Sequence, residues 1–165
     1  MSPSGQASLM TCAPGHGAGG WVRIHETFRA RVRAKEAQPT PPTAGGLDSQ
    51  SVNTTEVGGP ERGLDNGTTG KGRKRHVLGD TLGWCLIGVV TAASLSAHAG
   101  ARPICKRRRG TGKKRRNVWV DGTYRGAEWT SWVREKYPRV LASVPRAEGQ
   151  KGFAVFPHRG VVERP

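Results

Sequence analysis

Asp48, Asp121 and Glu163 are the residues of this 165-residue chain whose type and placement suggest chemistry. Asp48 stands at the start of one predicted strand, Asp121 closes another, and Glu163 is almost the last residue. Hard cations such as Mg²⁺ take oxygen ligands. A pair of them held by three carboxylates could clamp both the attacking and the leaving oxygens of an in-line phosphodiester displacement. Spacing alone does not mark a site, because twelve acidic residues nearly guarantee some widely spaced Asp, Asp, Glu trio.

Other chemistries fail on inspection. The stretch GLDNGTTGKG contains Gly70-Lys71, but a phosphate-binding loop needs Gly where Asp65 stands and Ser or Thr where Gly72 stands. There is no Gly-x-Ser-x-Gly elbow, and the five histidines (16, 25, 76, 98 and 158) have no metal-ligand spacing. Cys12, Cys85 and Cys105 lie far apart, so neither a disulfide framework nor a zinc site is encoded, and a reducing compartment fits best. The first twenty residues lack the basic start and apolar run of a secretory signal. The uncharged segment Trp84 to Gly100 is too short and too polar for a membrane span.

The 27 basic residues exceed the acidic ones by 15, and the excess is concentrated in the middle of the chain. Residues 1–70 are electrically balanced, whereas residues 71–116 carry thirteen basic side chains against Asp80 alone. Two clusters account for this, KGRKRH at 71–76 and KRRRGTGKKRR at 106–116. Such clusters attract polyanions by counterion release and carry no base information. Leu, Ile, Val and Phe together number 29, under about one-fifth of the chain, so any core is thin and disorder is favoured by composition alone.

The elements that must position these groups follow from the pattern of apolar residues. Residues 1–20 read as a disordered tail, and 21–37 as a helical segment with Trp21, Ile24, Phe28 and Val32 on one stripe. Residues 38–46 form a Pro/Gly linker. LDSQSV (47–52) reads as a strand, and 53–72, rich in glycine, as a long loop. RHVLGDTL (75–82) and WCLIGVVTAA (84–93) read as two strands parted by Gly83, and NVWVD (117–121) as a fourth. AEWTSWVREKY (127–137) is helical with Trp129, Trp132 and Val133 on its core stripe, while RVLASV and GFAVF look like two further short strands. Strands interleaved with helices make this an α/β domain with a mixed sheet.

The strings DSQSV, GGPERGLD, KGRKRHVLGDTLG, WVDGTYRG and KGFAVFPHRGVVER occur in the order, and near the separations, seen in bacterial insertion-sequence transposases of the DDE type. Over about residues 21 to 164 the chain resembles the insertion-sequence five family within the insertion-sequence four superfamily. The resemblance implies an RNase H-like fold, a mixed five-stranded sheet flanked by helices, over residues 47–165. It assigns the two catalytic aspartates to Asp48 and Asp121 and the catalytic glutamate to Glu163, all three as ligands of Mg²⁺ or Mn²⁺. The aspartates would lie on neighbouring strands, with the glutamate on a following helix. It places Lys71, Arg73, Lys74 and Arg75 against DNA phosphates and leaves Asp80 a structural strand residue. It further implies DNA as partner, no membrane, a homodimer of the intact enzyme, and a location in the bacterial cytoplasm at the nucleoid.

The chain departs from that pattern in three places. Asn53 stands where the family usually has Lys, and Asn66 to Thr69 where it has a Lys-rich stretch. SLSAHAGARPICKRRRGTGKKRR replaces an Asp-bearing turn and an amphipathic helix, and its charge density, with Pro103 inside, argues for a basic loop instead of a packed helix. The family's Glu-bearing helix continues for several turns, whereas here the sequence ends at Pro165. The expectation is therefore an incomplete RNase H-like domain, a truncated remnant poor at transposition. The alternative is a basic nucleic-acid-binding protein without catalysis.

Overall fold

The structure is a computed structural model that describes residues 8–9, 20–54, 62–65, 67, 69–108, 117–136 and 141–143. Its centre is a mixed sheet of β2 (Ala44–Asn53), β4 (Lys71–Asp80), β5 (Cys85–Ala92), β6 (Asn117–Val120) and β7 (Leu141–Ser143). The strands run in the spatial order β5-β4-β2-β6-β7. Three of them form an antiparallel meander, β2 with β4 and β4 with β5, while β6 lies parallel to β2 and β7 parallel to β6. Two short pieces extend it: β1 (Ser8–Leu9) on the free edge of β5, and β3 (Gly63–Leu64) against β4. The helices are α1 (Gly20–Lys35), α2 (Ala97–Arg108) and α3 (Ala127–Lys136). This is the expected α/β class with a mixed sheet and helices.

Several boundaries shift for identifiable reasons. β2 starts at Ala44, inside the expected linker, because Gly45 and Gly46 pair with Asp80 and Gly79 of β4. β4 starts at Lys71, inside the expected loop, with Gly72 opposite both Asn53 and Gly63. Within the tail expected to be disordered, Ser8 and Leu9 pair with Val90 and Val89. The strand expected at 152–156 lies outside the described residues.

The largest correction concerns α2, expected to be a basic loop. Ser96 caps the helix, its Oγ accepting from the Ala99 N–H at 3.2 Å. Ala97, Ala101, Ile104 and Cys105 recur at helical spacing, with Ala101 and Ile104 fully buried. Pro103 sits inside the helix and removes one backbone donor, but the buried stripe on either side holds the turn. The cationic run weighs on the sequence pattern only from Lys106 onward, so the apolar half of this segment is masked by its charged half.

The core lies between the sheet and these helices. Leu47, Leu78, Val89 and Val120 on the strands meet Ile104 of α2 and Trp129 and Val133 of α3. α2 packs on β4 and β5 at close range, because Gly100 faces the His76 ring and a Cβ there would collide with it. The α1 helix is different: Ile24 and Phe28 of its apolar stripe are exposed, and among its described side chains only Arg33 is fully buried.

Candidate active site

The parallel pairing of β2 and β6 places Leu47 beside Val120, and the next residue on each chain is an aspartate. Asp48 remains within β2, opposite Val77 of β4, while Asp121 leaves the sheet. Extended at φ −77° and ψ −178°, Asp121 caps a 3₁₀ turn over Gly122–Tyr124. Its Oδ1 accepts from the Thr123 N–H at 3.0 Å and also from the Thr123 hydroxyl. Both aspartates are half-buried. The expectation of aspartates on neighbouring strands matches this register.

Tyr124 ends the turn and lies buried beside the pair. Its ring packs against His98 and Trp129 at centroid distances of 5.9 and 5.8 Å. Burial pushes the phenol well above its ordinary range, the neighbouring Ser49 hydroxyl opposes the shift, and the charges of Asp48 and Asp121 raise it further. Both carboxylates are thus within electrostatic reach of one group. Two adjacent carboxylates offer the oxygen donors a hard divalent cation prefers. Glu163, the expected third ligand, lies outside the described residues, and among the described residues no cluster of three metal-ligating side chains occurs.

The four expected DNA-contacting residues all lie on β4, and strand alternation divides them. Lys71 and Arg75 are exposed and Arg73 is half-buried. The Arg75 Nη2 donates to Gln50 Oε1 at 2.8 Å. Lys74 points to the other face, where its ammonium donates to the Leu95 carbonyl at 3.1 Å and sits 3.5 Å from Asp65 Oδ2. The Ser51 hydroxyl, the Gly67 N–H and Lys74 hold the Asp65 carboxyl down at about 2. Lys74 therefore braces the turn after β3, with its side chain only 14 % exposed.

At the opposite end of β4, Asp80 has the structural role expected of it. The Arg33 Nη1 reaches Asp80 Oδ2 at 2.7 Å, both side chains being almost wholly buried. Asp80 Oδ1 accepts from the N–H groups of Leu82 and Trp84, each at 2.9 Å, and so shapes the β4–β5 turn, where Gly83 takes φ 85°. Arg33 also donates through Nε to the Pro39 carbonyl at 2.9 Å.

Sequence reasoning passed over Tyr124, Gln50 and Arg33. Tyr124 carries a faint signal, standing three residues after Asp121 in WVDGTYRG. Gln50 carries one too, two positions along the same strand face from Asp48. Arg33 gives none, since a basic residue in the last turn of a helix reads as solvated.

A family model described as transposase DDE domain matches residues 39–165. No curated protein and no solved structure matches the chain.

Proposed function

The chain belongs to the transposase DDE domain family, whose members act on DNA in transposition, and on that premise we propose that Asp48 and Asp121 are two of its catalytic carboxylates. The observation that carries this is the register of β2 and β6: Leu47 pairs with Val120 where β6 ends, and an aspartate follows each. We assign the third carboxylate to Glu163 and the metal to Mg²⁺ or Mn²⁺, held by these residues. The bound metal supplies Lewis-acid stabilisation of charge on the phosphate and on the attacking and leaving oxygens.

The protein's own part is positional. Asp48 is held in β2 by its pairing with β4, and Asp121 by its cap on the 3₁₀ turn, so the chain's own hydrogen bonds anchor both residues. The substrate is DNA at the ends of an insertion sequence of the five family, cut and then joined through its 3′-hydroxyl to target DNA, on an RNase H-like sheet. Cationic residues of β4 bring the phosphate backbone to the pair.

The test is cleavage of an element-end oligonucleotide in Mg²⁺. Asp121→Ala and Asp48→Ala are each expected to lower the rate at least a hundredfold with the fold intact by circular dichroism. Undiminished Mg²⁺-dependent cleavage by Asp121→Ala would refute the assignment.

A further inference from the structure

β4 pairs with β2 so that Val77 lies opposite Asp48, Arg75 opposite Gln50 and Arg73 opposite Val52. Residues directly opposite on an antiparallel pair share a face, and so do alternate residues of one strand. Lys71, Arg73 and Arg75 therefore form a single row that runs along the strand toward Asp48. His76 and Lys74 face the other way, His76 under α2 at Gly100 and Lys74 onto Asp65 and Leu95. Gly72, between Lys71 and Arg73, lets β4 lie close to β2, because a Cβ there would collide with the Val52 carbonyl.

Alternate residues of a strand stand about 7 Å apart. That repeat is close to the distance between successive phosphates on one strand of DNA. A row of three cations at this interval, on a face where Lys71, Arg75, Gln50 and Val52 are exposed, is matched in charge and in spacing to the phosphodiester backbone of one DNA strand lying along β4. At the end nearest the aspartates the Arg75 guanidinium is steadied by Gln50, which shares the face of Asp48.

We infer that Lys71, Arg73 and Arg75, without Lys74, form a track for three consecutive phosphates of one DNA strand, leading it to Asp48, with Gln50 as the positioning residue of the last step. The track rests on the proposed function for what happens at its end. Its existence is tested without chemistry.

The full-length chain is titrated with a labelled single-stranded oligonucleotide in the absence of divalent metal, following fluorescence anisotropy over a range of salt. Each of Lys71→Gln, Arg73→Gln and Arg75→Gln is expected to reduce the slope of log affinity against log salt by about 0.7, and the triple variant by about 2. Lys74→Met is expected to leave the slope unchanged while lowering the melting temperature. The cluster at 106–116 contributes equally to every variant and drops out of the comparison. A triple variant with the parent's slope overturns the track, and so does a Lys74→Met slope loss equal to that of Arg73→Gln. Asp121→Ala that still cleaved would refute the catalytic assignment while leaving this result standing, so the two failures are separable.

Discussion

Asp80 ends β4 and Asp121 follows directly on β6, and each accepts backbone N–H from the turn beyond it, yet the structure uses them in opposite ways. Asp80 is fully buried, with one oxygen on two turn amides and the other on Arg33. Asp121 is half-exposed, and among the described residues its hydrogen bonds, from the Thr123 N–H and hydroxyl, fall on Oδ1. A carboxylate with every oxygen engaged and no access to solvent is a fastener. One that is held by a single oxygen at the rim of a sheet, beside a second carboxylate, keeps lone pairs for a ligand. The difference arises from the partner supplied: α1 delivers a cation to Asp80, whereas the β2–β6 register delivers Asp48 to Asp121.

The comparison breaks most sharply if the fastener is opened. Asp80→Ala leaves Arg33 buried without its counter-charge and is expected to cost about 3–5 kcal/mol in denaturant melts. Asp121→Ala removes only a cap and should cost about 1 kcal/mol. Equal losses would erase the distinction.

A second test uses pH on the covered face. Burial, with the Lys74 charge adding to it, pushes the His76 imidazole down to about 4, and its Nε2 shares a 3.0 Å hydrogen bond with Thr91. On unfolding the ring returns to its ordinary value near 6.5, so between these limits the unfolded chain takes up a proton that the folded one refuses. Stability is therefore full above about pH 6.5 and falls as the pH drops toward 4, at up to about 1.4 kcal/mol per unit. Melts of His76→Gln should lose this slope, and an unchanged slope would place the titration elsewhere.

The smallest effect is expected where charge is paired in solvent. The Arg102–Glu128 bridge spans 3.1 Å between α2 and α3, with Glu128 90 % exposed. Glu128→Ala should change stability by less than about 0.5 kcal/mol. A loss comparable with that of Asp80→Ala would mean that burial is not what separates a fastener from a surface contact.

Much of the sheet was legible because its strands announce themselves. CLIGVV and NVWV are β-branched, Gly83 marks the turn between β4 and β5, and the stripe of Trp129 and Val133 identifies α3. The motifs around Asp48 and Asp121 single them out as candidates, and the strands that carry them are neighbours, as the resemblance implies. The fate of Lys74 was not. A loop read to residue 72 and a strand read only from 75 hid the alternation that separates it from its neighbours, and a clustered charge carries no sign of which face it will take. Arg33 was invisible for a related reason: its value depends on Asp80, far along the chain, and a pairwise burial leaves no trace in local composition. The exposed stripe of α1 shows the converse. Helical periodicity predicts a helix there, but not that Ile24 and Phe28 remain uncovered.

The parallel pairing of β6 with β2 is also the long-range contact of the site. β4 and β5 are joined by a tight turn and their contacts are local, so the hairpin closes a short loop. β6 can reach β2 only after the meander and α2 have been laid down between them, which is a slow, non-local closure. The row on β4 lies on one strand of a sequence-local hairpin, whereas the two aspartates are neighbours only through the long-range pairing of β2 with β6. The two halves of the proposed site therefore draw on different kinds of contact, one local in the chain and one distant.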